Sequence, residues 1–257
     1  MLEVLLGLLM WTTFMALPLR GLRIDWSLLR WCVGINLLLA PVVAFAVTRL
    51  LNDAPMATVA FLVLIAPCVD YVVVFNRIAG GSANLLQVTP VLLAVQMLAF
   101  ALLLPGLADP VIFIQPFVLL IVLPLIAAWF LQRYDPAATI ADKAMNPLLI
   151  AVVLLILVTY APELNTSYLG LSGVYALFAL CMWGGTYTLT TIAKTKQPTA
   201  IATTFSGVTR NSLVVLPVLM ALPIDNVPAI VVTQTLVELV FMFTMARIMR
   251  RPADLSV

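Results

Sequence analysis

Nine long apolar runs, separated by short polar or proline- and glycine-containing breaks, make up almost the whole of this chain. A helix of about 20 apolar residues crosses the hydrocarbon core of a bilayer, so runs of this length predict transmembrane helices. Of the 257 residues, 64% are hydrophobic and only 9% are charged, against about 25% charged in soluble domains. Such a chain cannot cover a soluble surface, which excludes a soluble enzyme. The sequence predicts an all-α polytopic membrane protein.

The predicted spans are bounded by polar residues or by proline and glycine. They cover approximately residues 2–19, 28–50, 55–78, 83–105, 110–132, 147–162, 169–192, 198–222 and 227–248. The longest connection lies at about residues 135–146, so the sequence predicts a single integral membrane domain over residues 1–257. The N-terminal run lacks the basic start of a cleavable signal peptide and is interpreted as the first span.

The basic residues predict the orientation of these spans, because cytoplasmic loops retain Lys and Arg. Eleven of the 13 basic residues follow odd-numbered spans: Arg20, Arg23, Arg30, Arg77, Arg133, Lys143, Lys194, Lys196, Arg247, Arg250 and Arg251. The opposite side carries Glu3, Asp53, Asp109, Glu163 and Asp225, with Arg49 as its only basic residue. We therefore expect a cell (plasma) membrane protein with its N-terminus outside and its C-terminus in the cytoplasm.

Three ionisable residues remain within the predicted spans: Asp70, Arg210 and Glu238. Each costs about 2.5 to 3.5 kcal/mol to insert, so each needs a partner or a water-filled cavity. A buried ion pair that only fixes helix packing is one interpretation. However, Arg210 can neutralise only one of the two acids, which leaves the other to bind a proton or a cation. A transporter needs such a site, and we assign proton coupling to Glu238 and Asp70.

Two of the predicted spans contain features that interrupt a helix. The third carries Pro67, which removes a helical hydrogen bond and clashes with the preceding turn. The eighth carries a polar run of small residues, which includes Ser206, Gly207 and Thr209. A proline kink and a polar packing seam would explain each feature separately. Irregular backbone at this depth is tolerated where it lines a cavity or is buried in protein, so the pair together indicates two broken helices.

The positions of the two interruptions predict an inverted repeat. If each interrupted span is the fourth member of a five-span unit, the second unit covers about residues 107–250 and is complete. The first covers about residues 1–106 and lacks only its opening helix. Secondary transporters built this way bind substrate where the broken helices cross near the midplane. We expect half-helices to begin near Val69 and Asn211 and to point their N-termini at that crossing.

Three motifs at these places carry a family resemblance. They are Ala66-Pro67-Cys68, Thr209-Arg210-Asn211-Ser212 and Leu236-Val237-Glu238. With them, nearly the whole chain resembles the bile acid:sodium symporter superfamily, and more closely its arsenical-resistance branch of arsenite permeases. The resemblance implies a panel domain packed on a core domain with two crossing helices, in a nine-span form that lacks the first helix. It also implies that Cys68 and Glu238 are tied to transport.

The resemblance implies a secondary active transporter that exports arsenite or antimonite. Trivalent arsenic is thiophilic, so a single thiol can make a transient metalloid contact at Cys68. Valines at 72 and 73 replace a sodium-binding pair of the sodium-coupled branch, which favours protons as the coupling ion. The expected substrate-binding residues are Cys68, Asp70, Arg210, Asn211 and Ser212.

Two other functions would give these residues different roles. In an organic anion carrier, Arg210 would instead be the counter-ion of the substrate, and a non-transporting membrane scaffold would need soluble appendages. No cofactor, enzymatic activity or nucleic-acid partner is expected, and the oligomeric state stays open. Cys32 and Cys181 are interpreted as small hydrophobic residues. The remaining polar residues within spans would line a cavity or bridge helices: Asn36, Gln87, Gln96 and Gln234.

Overall fold

The computed structural model describes residues 2–16, 24–67, 72–103, 118–160 and 166–249. Within these ranges the chain is all-helical and has no β-strand. Its helices are α1 (Leu2–Ala16), α2 (Trp26–Thr48), α3 (Ala54–Leu64), α4 (Val72–Ile78), α5 (Leu85–Leu103), α6 (Leu123–Leu131), α7 (Asp135–Tyr160), α8 (Thr166–Ile192), α9 (Gln197–Val208), α10 (Ser212–Leu219) and α11 (Val227–Met249). A π-helical turn at Val118–Val122 precedes α6.

Three helical stretches in the described part of the chain are long and apolar enough to cross a membrane. They are Trp26–Thr48, Tyr168–Ile192 and Val227–Met249. The helices Ala54–Leu64 and Leu85–Phe100 are also apolar but shorter. The prediction of an all-helical protein with helices able to span a membrane is therefore confirmed.

Large apolar side chains cover much of the outer surface. Leu38, Leu102 and Val158 are 72%, 73% and 75% exposed, respectively, and they lie on α2, α5 and α7. A soluble monomer rarely exposes large contiguous apolar patches. In contrast, many polar side chains are buried, among them Arg210 and Glu238. Exposed apolar side chains, together with charged groups buried in the interior, suit a protein surrounded by lipid.

Helix starts follow from local sequence. Asp25 precedes α2, and its side chain accepts hydrogen bonds from the backbone N–H groups of Ser27 and Leu28, each at 3.1 Å. Asp53 precedes α3 and accepts one from the N–H of Met56 at 2.8 Å. A side-chain oxygen at this position satisfies an N–H group that has no partner within the helix. These caps fix where α2 and α3 begin.

The sixth apolar run differs from its predicted bounds. The predicted connection at 135–146 is helical, because α7 begins at Asp135 and continues to Tyr160. Pro136 follows an acidic first residue, which is a favourable helix start. Alanine-rich residues then follow, and alanine has the highest helix propensity. Pro147, where the sequence predicts the start of the span, lies inside the helix.

The helices pack in two sets. In the first, α1 packs against α6 and α7. In the second, α8 packs against α2, α9 and α11, while α3 and α4 pack against α11. The two sets meet where α7 contacts α11 and where α1 contacts α10. Both interrupted helical pairs, α3 with α4 and α9 with α10, belong to the second set.

Several connections predicted to share one side lie next to one another. The Asn84 side chain donates to the Asp25 carboxylate at 3.0 Å, and the Ser82 N–H donates to the Pro198 carbonyl at 2.9 Å. The Gln132 side chain donates to the Phe14 carbonyl at 3.1 Å. The segment before α2 and the connections after α4 and after α8 thus lie together at one end of the second helix set.

Candidate functional site

The two helix interruptions meet. α3 ends at Leu64, and the chain continues irregularly to Pro67. α9 ends at Val208, and α10 begins at Ser212. The backbone N–H of Asn211 donates to the backbone carbonyl of Pro67 at 2.9 Å. This bond joins residues 144 positions apart and brings both interruptions to one place in the protein interior.

Local chemistry explains both helix ends. Pro67 disfavours helical backbone at the residue before it, which stops α3. Thr209 has extended backbone (φ −77°, ψ 136°), and its hydroxyl donates back to the Phe205 carbonyl at 2.7 Å. The Phe205 carbonyl, in the last turn of α9, thus accepts hydrogen bonds from both the backbone N–H and the hydroxyl of Thr209.

The break in the eighth segment is shorter than the sequence predicted. Ser206 and Gly207 lie in the last turn of α9, so they are not part of the irregular backbone, whereas Thr209 is. The second half-helix begins at Ser212, one residue after the expected start. The start expected near Val69 lies outside the described residues.

Arg210 lies between the two helix ends and is only 1% exposed. Its Nε donates to the Leu64 carbonyl at 2.7 Å. Its Nη2 donates to the Gly207 carbonyl and its Nη1 to the Thr209 carbonyl, both at 2.9 Å. One guanidinium thus binds the ends of both α3 and α9.

Electrostatics favours a cation at this place. The last four carbonyls of a helix have no partner within it, and the helix dipole makes this end negative. The planar guanidinium offers five N–H donors in a fixed geometry, which suits several carbonyls at once. The aromatic ring of Phe178 on α8 adds a cation–π contact, with the Arg210 Cζ 5.5 Å from the ring centroid.

A third helix contributes Asn36. This residue lies in a π-helical turn of α2, Ile35–Leu39, and its Oδ1 accepts a hydrogen bond from Arg210 Nη1. Its Nδ2 donates to the Cys32 carbonyl at 2.8 Å and to the Ser206 hydroxyl at 3.0 Å. Single π-helical turns within α-helices frequently occur at functional sites.

Glu238 on α11 completes the described cluster and is 3% exposed. Its Oε2 accepts hydrogen bonds from the backbone N–H of Arg210 at 2.7 Å and from Gln234 Nε2. The Ser212 hydroxyl donates to Gln234 Oε1 at 2.6 Å and lies 3.1 Å from the Thr235 hydroxyl. A titratable carboxyl group therefore contacts the break between α9 and α10 directly.

Glycine is required at one position beside this cluster. A Cβ at Gly207 would lie 2.8 Å from Ile35 Cγ2 and 3.0 Å from Thr186 Oγ1. The absence of a side chain lets α9 approach α2 and α8 closely. Asn36 and Ser206 come within hydrogen-bonding distance across the same contact.

The structure thus brings together several residues selected from the sequence: Pro67, Ser206, Gly207, Thr209, Arg210, Asn211, Ser212 and Glu238. Cys68 and Asp70 lie outside the described residues. Cys32 is buried and Cys181 is exposed. The described residues contain no group of three or more His, Cys, Asp or Glu side chains able to hold a metal ion.

Two members of the site could not be predicted from the sequence, and a third only in part. Phe178 and the Leu64 carbonyl carry no sequence signal, because an aromatic residue and a backbone oxygen within an apolar span look like ordinary packing. Asn36 stands out in the sequence only as a polar residue within a span, and its contact with Arg210 depends on long-range packing.

No protein-family model matches this chain, and no curated protein matches it significantly. A functional proposal therefore depends on the geometry of the site and on the resemblance of its motifs.

Proposed function

We propose that this chain is a secondary active transporter that exports arsenite or antimonite in exchange for protons. The observation that carries the proposal is the Asn211–Pro67 hydrogen bond, which joins two interrupted helices beside buried Arg210 and Glu238. Interrupted helices that meet inside the membrane are typical of the substrate sites of secondary transporters. The proposal involves no enzymatic step and no cofactor.

The proposed topology has nine spans in the plasma membrane. In chain order they are α1, α2, α3 with α4, α5, α6, α7, α8, α9 with α10, and α11. The distribution of basic residues supports an outer N-terminus and a cytoplasmic C-terminus. The neighbouring positions of Asn84 with Asp25, and of Ser82 with Pro198, agree with a shared side for these connections.

The two helix sets support the proposed inverted-repeat architecture. The set of α1, α6 and α7 would be the panel domain, and the remaining helices would be the core. The interrupted pair α3–α4 would belong to the first repeat, at about residues 1–106, and the pair α9–α10 to the second, at about 107–250. Movement of one set against the other would expose the crossing alternately to the two sides of the membrane.

Glu238 is the best-supported proton site among the described residues. Its carboxylate accepts the N–H groups of Arg210 and Gln234, so its charge is stabilised in this conformation. A proton on the carboxyl group would weaken acceptance from these donors. Protonation of Glu238 would therefore weaken the hydrogen bond that holds the backbone at the break between α9 and α10. Asp70, the other proposed proton site, lies outside the described residues.

A proton is needed because arsenous acid is uncharged at neutral pH, so the membrane potential cannot drive its export alone. In the proposed cycle, the carboxyl group of Glu238 or Asp70 loses its proton to the cytoplasm when substrate binds. It regains a proton from the outer side. Exchange of a neutral molecule for a proton moves one positive charge inward, which the membrane potential favours. Cys68 would supply a reversible thiol contact to the trivalent metalloid.

The contacts of Arg210 favour a metalloid over an organic anion. The described guanidinium donors bind protein oxygens at the ends of α3 and α9 and on Asn36. A substrate carboxylate or sulfonate would have to compete with these acceptors. Asn211 and Ser212, the other proposed substrate contacts, lie beside this arginine at the start of α10.

The test is arsenite uptake into everted membrane vesicles with an acidic interior. We expect the pH gradient to stimulate uptake in the wild type and not in Glu238→Gln. Asp225→Asn is the matched control, because it removes an exposed carboxylate in a connection. A different result would identify an organic anion carrier. In that case an excess of an alkyl sulfonate abolishes uptake, and the pH gradient has no effect on it.

A further inference from the structure

The guanidinium of Arg210 lies in a cage of oxygen atoms drawn from three helices. The backbone carbonyls of Leu64, Gly207 and Thr209 contribute from the ends of α3 and α9, and Asn36 Oδ1 contributes from α2. The Ser206 carbonyl lies 3.4 Å from Nη1. Converging carbonyl oxygens are the groups with which proteins replace the hydration shell of a small cation.

We propose that this cage is a cation-binding site whose resident ion is the protein's own guanidinium group, and that it binds free guanidinium when the side chain of Arg210 is shortened. This inference does not depend on the transported substrate. It assigns Arg210 a positioning role, since the side chain holds two helix ends against each other.

The charge balance at the crossing supports the inference. α3 and α9 both point their C-terminal ends at the cage, and each end carries partial negative charge. Two such ends repel each other in a water-poor interior, where electrostatic interactions are strong. Buried carbonyls without a partner also cost free energy. A cation between them removes both penalties, and arginine keeps its charge throughout the physiological pH range.

The shape of the cage distinguishes guanidinium from an ammonium ion. The Leu64, Gly207 and Thr209 carbonyls receive hydrogen bonds from three different nitrogen atoms of Arg210. A lysine ammonium is a compact group with three donors and cannot reproduce this planar arrangement. Phe178 beside the guanidinium gives further preference for a flat cation.

The experiment measures thermal unfolding of the purified full chain in detergent. Arg210→Ala is compared with the wild type in low millimolar guanidinium chloride, and in equal concentrations of potassium chloride, sodium chloride and urea. A ligand that binds only the folded state raises Tm with increasing concentration. We expect guanidinium to raise the Tm of Arg210→Ala while urea and the two salts do not, and to leave the wild-type Tm unchanged.

The matched control is Arg247→Ala. Arg247 is exposed and its Cζ lies 4.2 Å from the Phe243 ring centroid, outside any carbonyl cage described above. Loss of this arginine should lower Tm little and create no response to guanidinium. An equal response of Arg210→Ala and Arg247→Ala, or no response of either, would overturn the inference.

A second pair of variants covers the case in which Arg210→Ala does not fold. Arg210→Lys keeps the charge, and Arg210→Gln offers a neutral N–H donor on a side chain one bond shorter than that of lysine. If a cation is what the cage requires, the lysine variant has the higher Tm of the two. A glutamine variant as stable as the lysine variant would contradict the inference. Tm is measured without arsenite flux. The cation-site inference and the transport proposal can therefore be contradicted independently of each other.

Discussion

The backbone N–H of Asn211 donates to the backbone carbonyl of Pro67 across 2.9 Å, so two helix interruptions form one site. A backbone bond of this kind depends on close approach of the main chains and not on the identity of either side chain. Arg210, the residue before Asn211, binds the carbonyl of Leu64 at the end of α3, the helix that stops before Pro67. Substitutions that push these segments apart should therefore affect stability and transport together.

Gly207→Ala should destabilise the protein. The new methyl group would meet Ile35 and Thr186 at 2.8 and 3.0 Å, and overpacking of this kind costs about 1 to 3 kcal/mol. Arsenite uptake should fall with it, because Asn36 and Ser206 would be forced apart. Tm and uptake are measured together.

Gly184→Ala is the matched control for Gly207→Ala. Gly184 lies within α8, and nothing is within 4 Å of a Cβ placed there. Alanine in a helix is favoured over glycine by about 1 kcal/mol, so the Gly184 variant should be neutral or more stable. Equal Tm values for the two variants would contradict the close approach at Gly207.

The Asp25 cap should give a pH-dependent contribution to stability. The hydrogen bond from Asn84 and those from the Leu28 and Ser27 N–H groups lower the pKa of Asp25. Because the folded-state pKa is the lower one, this contribution is fully present above the ordinary Asp pKa and is lost as the pH falls through the folded-state value. Asp25→Ala should cost about 1 kcal/mol at neutral pH.

The check is the difference in Tm between wild type and Asp25→Ala as a function of pH. The difference should shrink in acid. Asp25→Asn should be milder at neutral pH, because asparagine also caps helices well. A difference that stays constant down to the lowest pH would show that the carboxylate charge contributes nothing.

Cys68→Ser should lose most of the arsenite uptake, because a hydroxyl does not replace a thiol as a ligand for trivalent arsenic. Cys32→Ser and Cys181→Ser are controls within the same chain, one buried and one exposed. We expect Cys181→Ser to transport at the wild-type rate. Undiminished uptake by Cys68→Ser would remove that residue from the proposed substrate site.

Much of the helical pattern follows from the sequence, because apolar runs of this length have few stable structures other than a helix. Pro67 predicts an interruption near the end of α3, since proline restricts the residue before it. The position of α7 was less predictable. Its first three turns, beginning at Asp135, are polar, so their low hydropathy suggests a connection between spans. They nevertheless form a helix, because their residues have high helix propensity.

The site itself was only partly predictable. Arg210 and Glu238 stand out as charges within apolar spans, which indicates importance but does not identify partners. The sequence suggested an ion pair or a substrate counter-ion for Arg210, whereas its described contacts are mainly carbonyl oxygens at helix ends. Backbone acceptors have no sequence signature. The contact with Asn36 depends on a π-helical turn that apolar periodicity does not reveal.

In the proposed cycle, Glu238 couples proton movement to metalloid export. The most direct measurement places the purified chain in proteoliposomes with a trapped pH-sensitive dye and imposes an arsenite gradient. We expect proton flux opposite to arsenite flux in the wild type and in Asp225→Asn, and no proton flux in Glu238→Gln. Arsenite flux without proton flux in the wild type, or unchanged proton flux in Glu238→Gln, would contradict it.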